Sequence, residues 1–257
     1  MSFFFISPKQ IHDHFILLDE AESHHVIKVL RKQIRDPLQV TTGEGLSFET
    51  EIIARAPLVK LKILSKHQSK SEGPSITLAQ AILKNPRMDW LVEKITELGV
   101  QKLIPLMTQN TVIQLKTEKE KSEKLNRWKR SMQAALKQSK QTLLPEISSI
   151  FSYSDFFKSL PAKESILFVF STENENKLSP LQWEETLLSK PKAQEWVCVL
   201  GPEGGFTSSE LELAKSKEAY FCDLGNQILR GETATLSVIS ILHFIREKLK
   251  GIKDKHD

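Results

Sequence analysis

The chain has 257 residues, 40% hydrophobic and 26% charged, with a formal net charge of +4. That length supplies a sizeable core for one large domain or two modest ones, the hydrophobic and charged fractions are those of an ordinary soluble globular protein, and two cysteines are too few for a disulfide framework. The mild positive balance permits nucleic acid as a partner without requiring it.

Phe3 to Ile6 is a short apolar run cut off by Ser7-Pro8 with no basic flank, so it reads as a strand rather than a secretory leader. Phe15 to Leu18, Leu38 to Thr41, Phe48 to Ala54 and Val59 to Leu64 read as further strands, separated by Asp36-Pro37, Gly43-Glu44-Gly45 and Ala56-Pro57. One short helix is expected over Glu22 to Leu30, with Val26, Val29 and Leu30 on its apolar face. Many short strands with one helix predict a small β-barrel-like domain. His12, His14, His24 and His25 have no cysteines or carboxylates around them at zinc-site spacing, so polar surface or RNA contact suits them and no metal is expected. Gln68 to Ser75 is polar, contains Gly73-Pro74, and reads as an interdomain linker.

Beyond the linker, strands and helices alternate, which predicts a mainly parallel sheet. The strands are Ile76 to Leu83, Leu103 to Met107, Ile166 to Phe170, Trp196 to Leu200 and Tyr220 to Leu224. Asn85 is expected to cap a helix beginning at Pro86 and running to Leu98, where Gly99 stops it. Thr117 to Ser139 is a long helix, Thr207-Ser208-Ser209-Glu210 is a capping box, and Glu232 to Leu249 is the final helix, apolar at Leu236, Ile239, Leu242 and Ile245. No apolar run reaches the length of a membrane span. Cys198 and Cys222 both lie in strand-like runs and read as buried, reduced thiols, which suits the cytosol.

Between Lys116 and Lys140 stand nine basic residues, opposed by Glu118, Glu120 and Glu123. Such a run is either a solvated helix face or a surface that contacts phosphates. Trp128, in the same helix, belongs to the core or stacks on a base.

Two glycine-bearing turns carry the chemistry. The first is Leu200-Gly201-Pro202-Glu203-Gly204-Gly205-Phe206 and the second runs from Leu224-Gly225 through Ile228-Leu229-Arg230 to Glu232-Thr233-Ala234. Each follows a buried strand and leads into a helix. Glycine lets backbone groups come close to a ligand because no Cβ stands in the way. Two such turns can wall one pocket at the carboxyl edge of a sheet, where open α/β folds bind ligands. The first turn is neither a dinucleotide fingerprint nor a phosphate loop, since no Lys-Ser or Lys-Thr follows and Glu203 would repel phosphate. A plain Pro-Gly turn is the alternative for it alone; together the turns indicate an uncharged or cationic ligand held largely by backbone.

These stretches resemble the RsmE family of ribosomal RNA methyltransferases, within the SPOUT (trefoil-knot) superfamily. The two glycine turns carry the likeness, with Arg87-Met88, Lys94 to Val100, Gln138-Ser139 followed by Pro145, and His24-His25 with Val29-Leu30-Arg31. The match runs through nearly the whole chain in separated blocks. Where the family has arginines before the first Phe-Phe and after Gln-Ser, this chain has Ser2 and Gln141, and Gly231 precedes Glu232 where alanine is usual.

The resemblance implies an α/β fold in two parts. Residues 1–72 would form a PUA-like RNA-binding β-barrel and residues 73–257 a SPOUT trefoil-knot methyltransferase domain. It implies S-adenosylmethionine as methyl donor, N3 of a uridine in 16S ribosomal RNA of the small subunit as acceptor, a cytoplasmic homodimer, and neither membrane nor metal. The cofactor would be held by Phe170-Ser171-Thr172, by Leu200, Gly201, Pro202, Glu203, Gly204 and Gly205, and by Leu224, Gly225, Ile228, Leu229, Arg230, Thr233 and Ala234. Arg230 and Glu232 are the candidate catalytic groups, the first as donor to the developing uracil anion and the second as proton acceptor, with Glu203 the other possible base. A structural ion pair is the alternative for Arg230, and a dipole-stabilised first-turn carboxylate for Glu232. RNA would be held by His25, Arg31, Arg87, Lys94, Arg127, Arg130 and Gln138. A SPOUT enzyme acting on another base or a ribose, and a non-catalytic RNA-binding relative, are the competing assignments.

Overall fold

The structure is a computed structural model that describes residues 3–70, 73–160, 165–173 and 177–253, without the side chains of 252 and 253. Ser2, and Ser71-Glu72 of the expected linker, lie outside the described residues. The chain divides into two compact units, one of Met1–Lys70 with Met132–Leu144, the other of Ser71–Ser131 with Pro145–Asp257.

The first unit is built on a six-stranded sheet of β1 (Phe3–Phe5), β2 (Ile11–His12), β3 (Phe15–Leu17), β4 (Pro37–Thr41), β5 (Leu46–Ala54) and β6 (Lys60–Gln68). Its order is β1-β4-β5-β6-β3-β2, parallel only at β1–β4. Phe4 from one end of the sheet and Ile16 near the other meet Val26, Leu38, Val40, Phe48 and Leu61 in one core, so the sheet curls around it. Register shifts in β5 after Glu49 and after Ile52 supply bends. Gly43 and Gly45, both at positive φ, form the turn between β4 and β5, and that turn pairs with residues 142–144 through Gly45 N–H to the Thr142 carbonyl at 2.8 Å and Leu144 N–H to the Gly43 carbonyl at 2.7 Å. Thus 132–144, assigned by sequence to the second segment, pack into the first unit.

The short helix differs from its pattern. α1 (Glu20–His24) is capped by Asp19 and continues as a π-helical turn over His25–Val29. The wider turn rotates the later residues off the apolar face. Val26 is buried, whereas Val29, expected on the same face, is 61% exposed.

The second unit holds an all-parallel sheet, β7 (Ser75–Ala81), β8 (Lys102–Met107), β9 (Glu146–Ile147), β10 (Phe151–Ser152), β11 (Ser165–Phe170), β12 (Glu195–Leu200) and β13 (Tyr220–Cys222). The order is β10-β8-β7-β12-β11-β13, with β9 also on β8. Its helices are α2 (Arg87–Glu97), the first half of α3 (Glu118–Ser139), α4 (Tyr153–Ser159), α5 (Pro180–Leu188), α6 (Ser208–Lys215) and α7 (Gly231–Lys253). Strand alternation assigns the two faces. Ala79, Leu167, Val169, Val197 and Val199 pack with Phe156 and Phe157 of α4 and Ala214 of α6. Phe168 and Phe170 turn the other way, edge-on to Trp183 of α5, which packs beside α7 with α2 beyond. Apolar side chains thus cover both faces, as buried parallel strands require.

α2 begins one residue later than the pattern predicts, with Pro86 itself at the cap position and no side-chain cap. α4 and α5 are short helices that the sequence pattern did not separate from loops. Trp128 is fully buried and its Nε1 donates to Asp89 Oδ1 at 3.1 Å, so it belongs to the core. No described helix is long and apolar enough to cross a membrane.

Candidate active site

Because all strands of the second unit run parallel, their carboxyl ends share one edge. The loops leaving β11, β12 and β13 there enclose a cleft of about 380 Å³. β12 and β13 flank β11, so the two glycine turns stand on either side of Phe170-Ser171-Thr172.

Phe170, Ser171 and Thr172 line the cleft from the first loop. From the second come Leu200, Gly201, Pro202, Glu203 and Gly205. Gly205 has a φ of +67°, a conformation in which side chains other than glycine are strained. Gly204 is outside the lining and faces Asn110, whose Nδ2 donates to the Gly204 carbonyl at 2.9 Å and the Gly205 carbonyl at 3.3 Å. The turn is further held by Glu210, which is buried and completes the capping box with Thr207. Its other oxygen accepts the Gln109 N–H at 2.9 Å, joining the loop after β8 to the start of α6.

The third loop contributes Leu224, Gly225, Ile228, Leu229 and Arg230, and the first turn of α7 adds Ala234. Thr233 and Glu232 stand in the first turn of α7 but not in the lining. Arg230 is exposed and forms no ion pair among the described residues. Arg87, assigned by sequence to RNA, lines the cleft instead: its Nη1 is 3.5 Å from Glu203 Oε1 and its Nε 3.7 Å from Glu232 Oε1.

Sequence reasoning missed Lys177, Phe206, Cys222, Asp223, Gln227 and Gly231 in the lining. Asp223, a carboxylate directly after an apolar strand, carried a usable signal. Lys177 carried none. It reaches the cleft because Leu178 bridges to Cys222, with Leu178 N–H donating to the Phe221 carbonyl at 2.8 Å and Asp223 N–H to the Leu178 carbonyl at 3.1 Å. Both cysteines are free and buried, and burial pushes their thiols up, so Cys222 meets the cleft as a neutral, apolar group.

The residues assigned to RNA fall at separate places. In the first unit His25 and Gln138 line a second hollow of about 430 Å³ with Lys137 and Lys140, and Arg31 is exposed in a left-handed conformation. In the second unit Lys94 pairs with Glu97 at 2.7 Å and Arg127 with Asp89 at 2.7 Å, so both have carboxylate partners within the fold. Arg130 is exposed, with Nε 3.3 Å from the Asn126 carbonyl. Among the described residues no group of three or more His, Cys, Asp or Glu is arranged to hold a metal ion.

Phe170, Leu200, Leu224 and Ile228 supply apolar surface, the glycine turns expose backbone, and the wall carries charges of both signs, Asp223 and Glu203 with Arg87, Lys177 and Arg230.

Known proteins resemble this chain in sequence and in fold. An RNA methyltransferase domain family matches residues 70–243. The chain is 31% identical over 229 residues to ribosomal RNA small subunit methyltransferase E of Rickettsia conorii, covering 87% of each. It is 26% identical to the protein of that name from Bacillus subtilis, covering 90% of each. The crystal structure of ribosomal RNA small subunit methyltransferase E from Neisseria gonorrhoeae bound to S-adenosyl methionine shares the fold, with a TM-score of 0.82 at 24% identity over 95% of this chain and 98% of that one.

Proposed function

Because the chain belongs to the ribosomal RNA small subunit methyltransferase E family, we propose that it is an S-adenosylmethionine-dependent enzyme that methylates N3 of a uridine in 16S ribosomal RNA. The observation that carries this is the cleft walled by three loops at the carboxyl ends of three adjacent parallel strands, with Gly201, Gly205 and Gly225 exposing backbone to it.

S-adenosylmethionine, when bound, supplies an electrophilic methyl group. The residues that would hold it are Phe170 to Thr172, the Gly201 to Gly205 turn, and Asp223 to Arg230. The work left to the chain is to orient the uracil, stabilise charge on its carbonyl oxygens as the N3 proton leaves, and receive that proton. Arg230, exposed at the cleft and without an ion pair among the described residues, is the donor to the developing anion. Glu232 is the proton acceptor: Oε1 faces Arg87, while Oε2 is buried without a hydrogen-bond partner among the described residues. The base leaves its stack to enter the cleft. Arg130 and the His25–Gln138 hollow, with Lys137 and Lys140, contact backbone phosphates, which positions RNA without reading sequence.

The same reading makes the enzyme a cytoplasmic homodimer, supported by Ile228, 90% exposed in the third loop, and by exposed Phe244 on α7. It includes a SPOUT knot, supported by the chain's path from β12 past β11 to β13. The PUA-like assignment of residues 1–72 is supported by the curled six-stranded sheet.

The test is nucleoside mass spectrometry of 16S ribosomal RNA from cells lacking the gene. Loss of 3-methyluridine, restored by the wild-type gene and not by Arg230→Ala, is expected. Persistence of 3-methyluridine in the deleted strain overturns the assignment.

A further inference from the structure

Beneath the cleft lies a polar pair that methyl transfer leaves unexplained. Gln80 is the penultimate residue of β7 and Thr235 stands near the start of α7; both are completely buried. A strand in the middle of a parallel sheet, covered on both faces, is ordinarily apolar throughout. A buried amide is tolerated only where its hydrogen bonds are made.

Here the partners are specific. Thr235 Oγ1 stands 2.6 Å from Gln80 Oε1 and 2.9 Å from the Gly231 carbonyl. Gln80 Nε2 donates to the Ala81 carbonyl at 3.0 Å and to the Gly201 carbonyl at 3.4 Å. Gly201 and Gly231 both line the cleft, the first in the loop after β12 and the second as the first residue of α7, where its carbonyl is one turn from Thr235. A second contact presses the same parts together: a Cβ on Gly231 would stand 2.9 Å from Leu83 Cδ2, just after β7. The β7–β12 register places Gln80 beside Leu200, the residue preceding Gly201.

We propose that Gln80 and Thr235 are positioning residues that hold the Gly201 and Gly231 backbones at a fixed separation and so set the width of the S-adenosylmethionine cleft. This rests on the cofactor assignment above. Neither side chain lines the cleft; they act through the loop after β12 and the first turn of α7, which they tie together.

Calorimetric titration of S-adenosylmethionine into the full-length protein tests this, with the ligand-free unfolding midpoint of each variant measured in parallel. Gln80→Leu and Thr235→Val are each expected to raise Kd about tenfold, and the double variant no further than the worse single one, as for groups in one network. Thr235→Ser, which keeps the hydroxyl, retains the wild-type Kd. Leu103→Ala, a buried change near the amino end of β8, lowers the midpoint and leaves Kd alone. Unchanged Kd in Gln80→Leu and Thr235→Val, whatever their midpoints, overturns the proposal. If Gln80→Leu does not fold, Thr235→Val against Thr235→Ser decides the matter. Absence of binding by the wild-type chain overturns the cofactor assignment and the proposal with it, which is distinct from equal binding by all variants.

Discussion

The guanidinium of Arg87 and the carboxylate of Glu232 face each other at 3.7 Å, joining the start of α2 to the start of α7. The same guanidinium lies 3.5 Å from Glu203, whose Oε1 also accepts the Lys84 N–H at 3.2 Å. One cation therefore spans the acidic residues of both glycine turns. Since Arg87 is partly exposed, these pairs contribute below about 1 kcal/mol each to stability. Arg87→Ala is thus expected to leave the unfolding midpoint nearly unchanged while slowing methylation about tenfold, because Glu232 loses the partner that orients it. With Glu232 as the proposed proton acceptor, Glu232→Gln, which keeps the shape and removes the charge, should reduce kcat on the order of a hundredfold without weakening S-adenosylmethionine binding. An unchanged kcat in Glu232→Gln would leave that carboxylate only its role at the helix N-terminus.

The adjacent glycines of the first turn separate conformational need from space. Gly205 holds a φ of +67° and lines the cleft, whereas Gly204 is not at positive φ and faces Asn110. Gly205→Ala should cost about 1 kcal/mol from backbone strain alone, and cofactor affinity should fall because the turn must move. Gly204→Ala places a Cβ 3.1 Å from Asn110 Cβ, a contact that a small shift relieves. Its Kd should change less than that of Gly205→Ala, and the reverse ranking would show that Gly204 is the residue in contact with ligand.

What could be read in advance follows from the range of the interactions. The parallel sheet was legible because strands buried on both faces are locally apolar, as in Trp196 to Leu200. The Thr207–Glu210 capping box was legible for the same reason, being closed within four residues. Two of the cleft loops were legible because glycines follow their strands, whereas Phe170-Ser171-Thr172 was implied only by the family resemblance. Lys177, Gln80 and the placement of Arg87 were not, since each depends on partners far along the chain: Cys222 beside Leu178, Thr235 opposite Gln80, Glu203 and Glu232 around Arg87. Residues 132–144 were misplaced for a related reason. The boundary between units falls inside α3, where helical periodicity continues and nothing local marks it.

Glu210 serves two loops at once. One oxygen accepts the Thr207 N–H at 2.8 Å and the other the Gln109 N–H at 2.9 Å. Glu210→Ala leaves both donors without their partner, in a position that is nearly buried. The expected loss is about 2 kcal/mol, the sum of a helix cap and a charge-assisted hydrogen bond. Chemical denaturation reads this directly, and Glu210→Gln, which can still accept, should lose less. A midpoint identical to wild type in Glu210→Ala would mean that water replaces the carboxylate without cost.

His243 on α7 gives the fold a pH dependence of definite sign. Burial, reinforced by the Arg246 guanidinium whose Nη2 is 2.8 Å from Nδ1, lowers its pKa from the ordinary 6.5 to about 4, against the opposing pull of the Leu98 backbone and the charge of Glu247. The ring is therefore neutral in the folded chain at pH 5 to 6, where the unfolded chain's imidazole takes up a proton. The unfolded state binds more protons through this window, so stability contributed by the neutral ring is complete above pH 6.5 and is lost as pH falls toward 4. His243→Gln removes the titration and keeps a polar side chain beside Arg246. Urea midpoints measured from pH 7 to pH 4.5 should fall less steeply for this variant than for wild type. The difference between the curves isolates His243 from the carboxylates that titrate at the acid end of the range, and parallel curves would mean that the folded ring titrates like a free one.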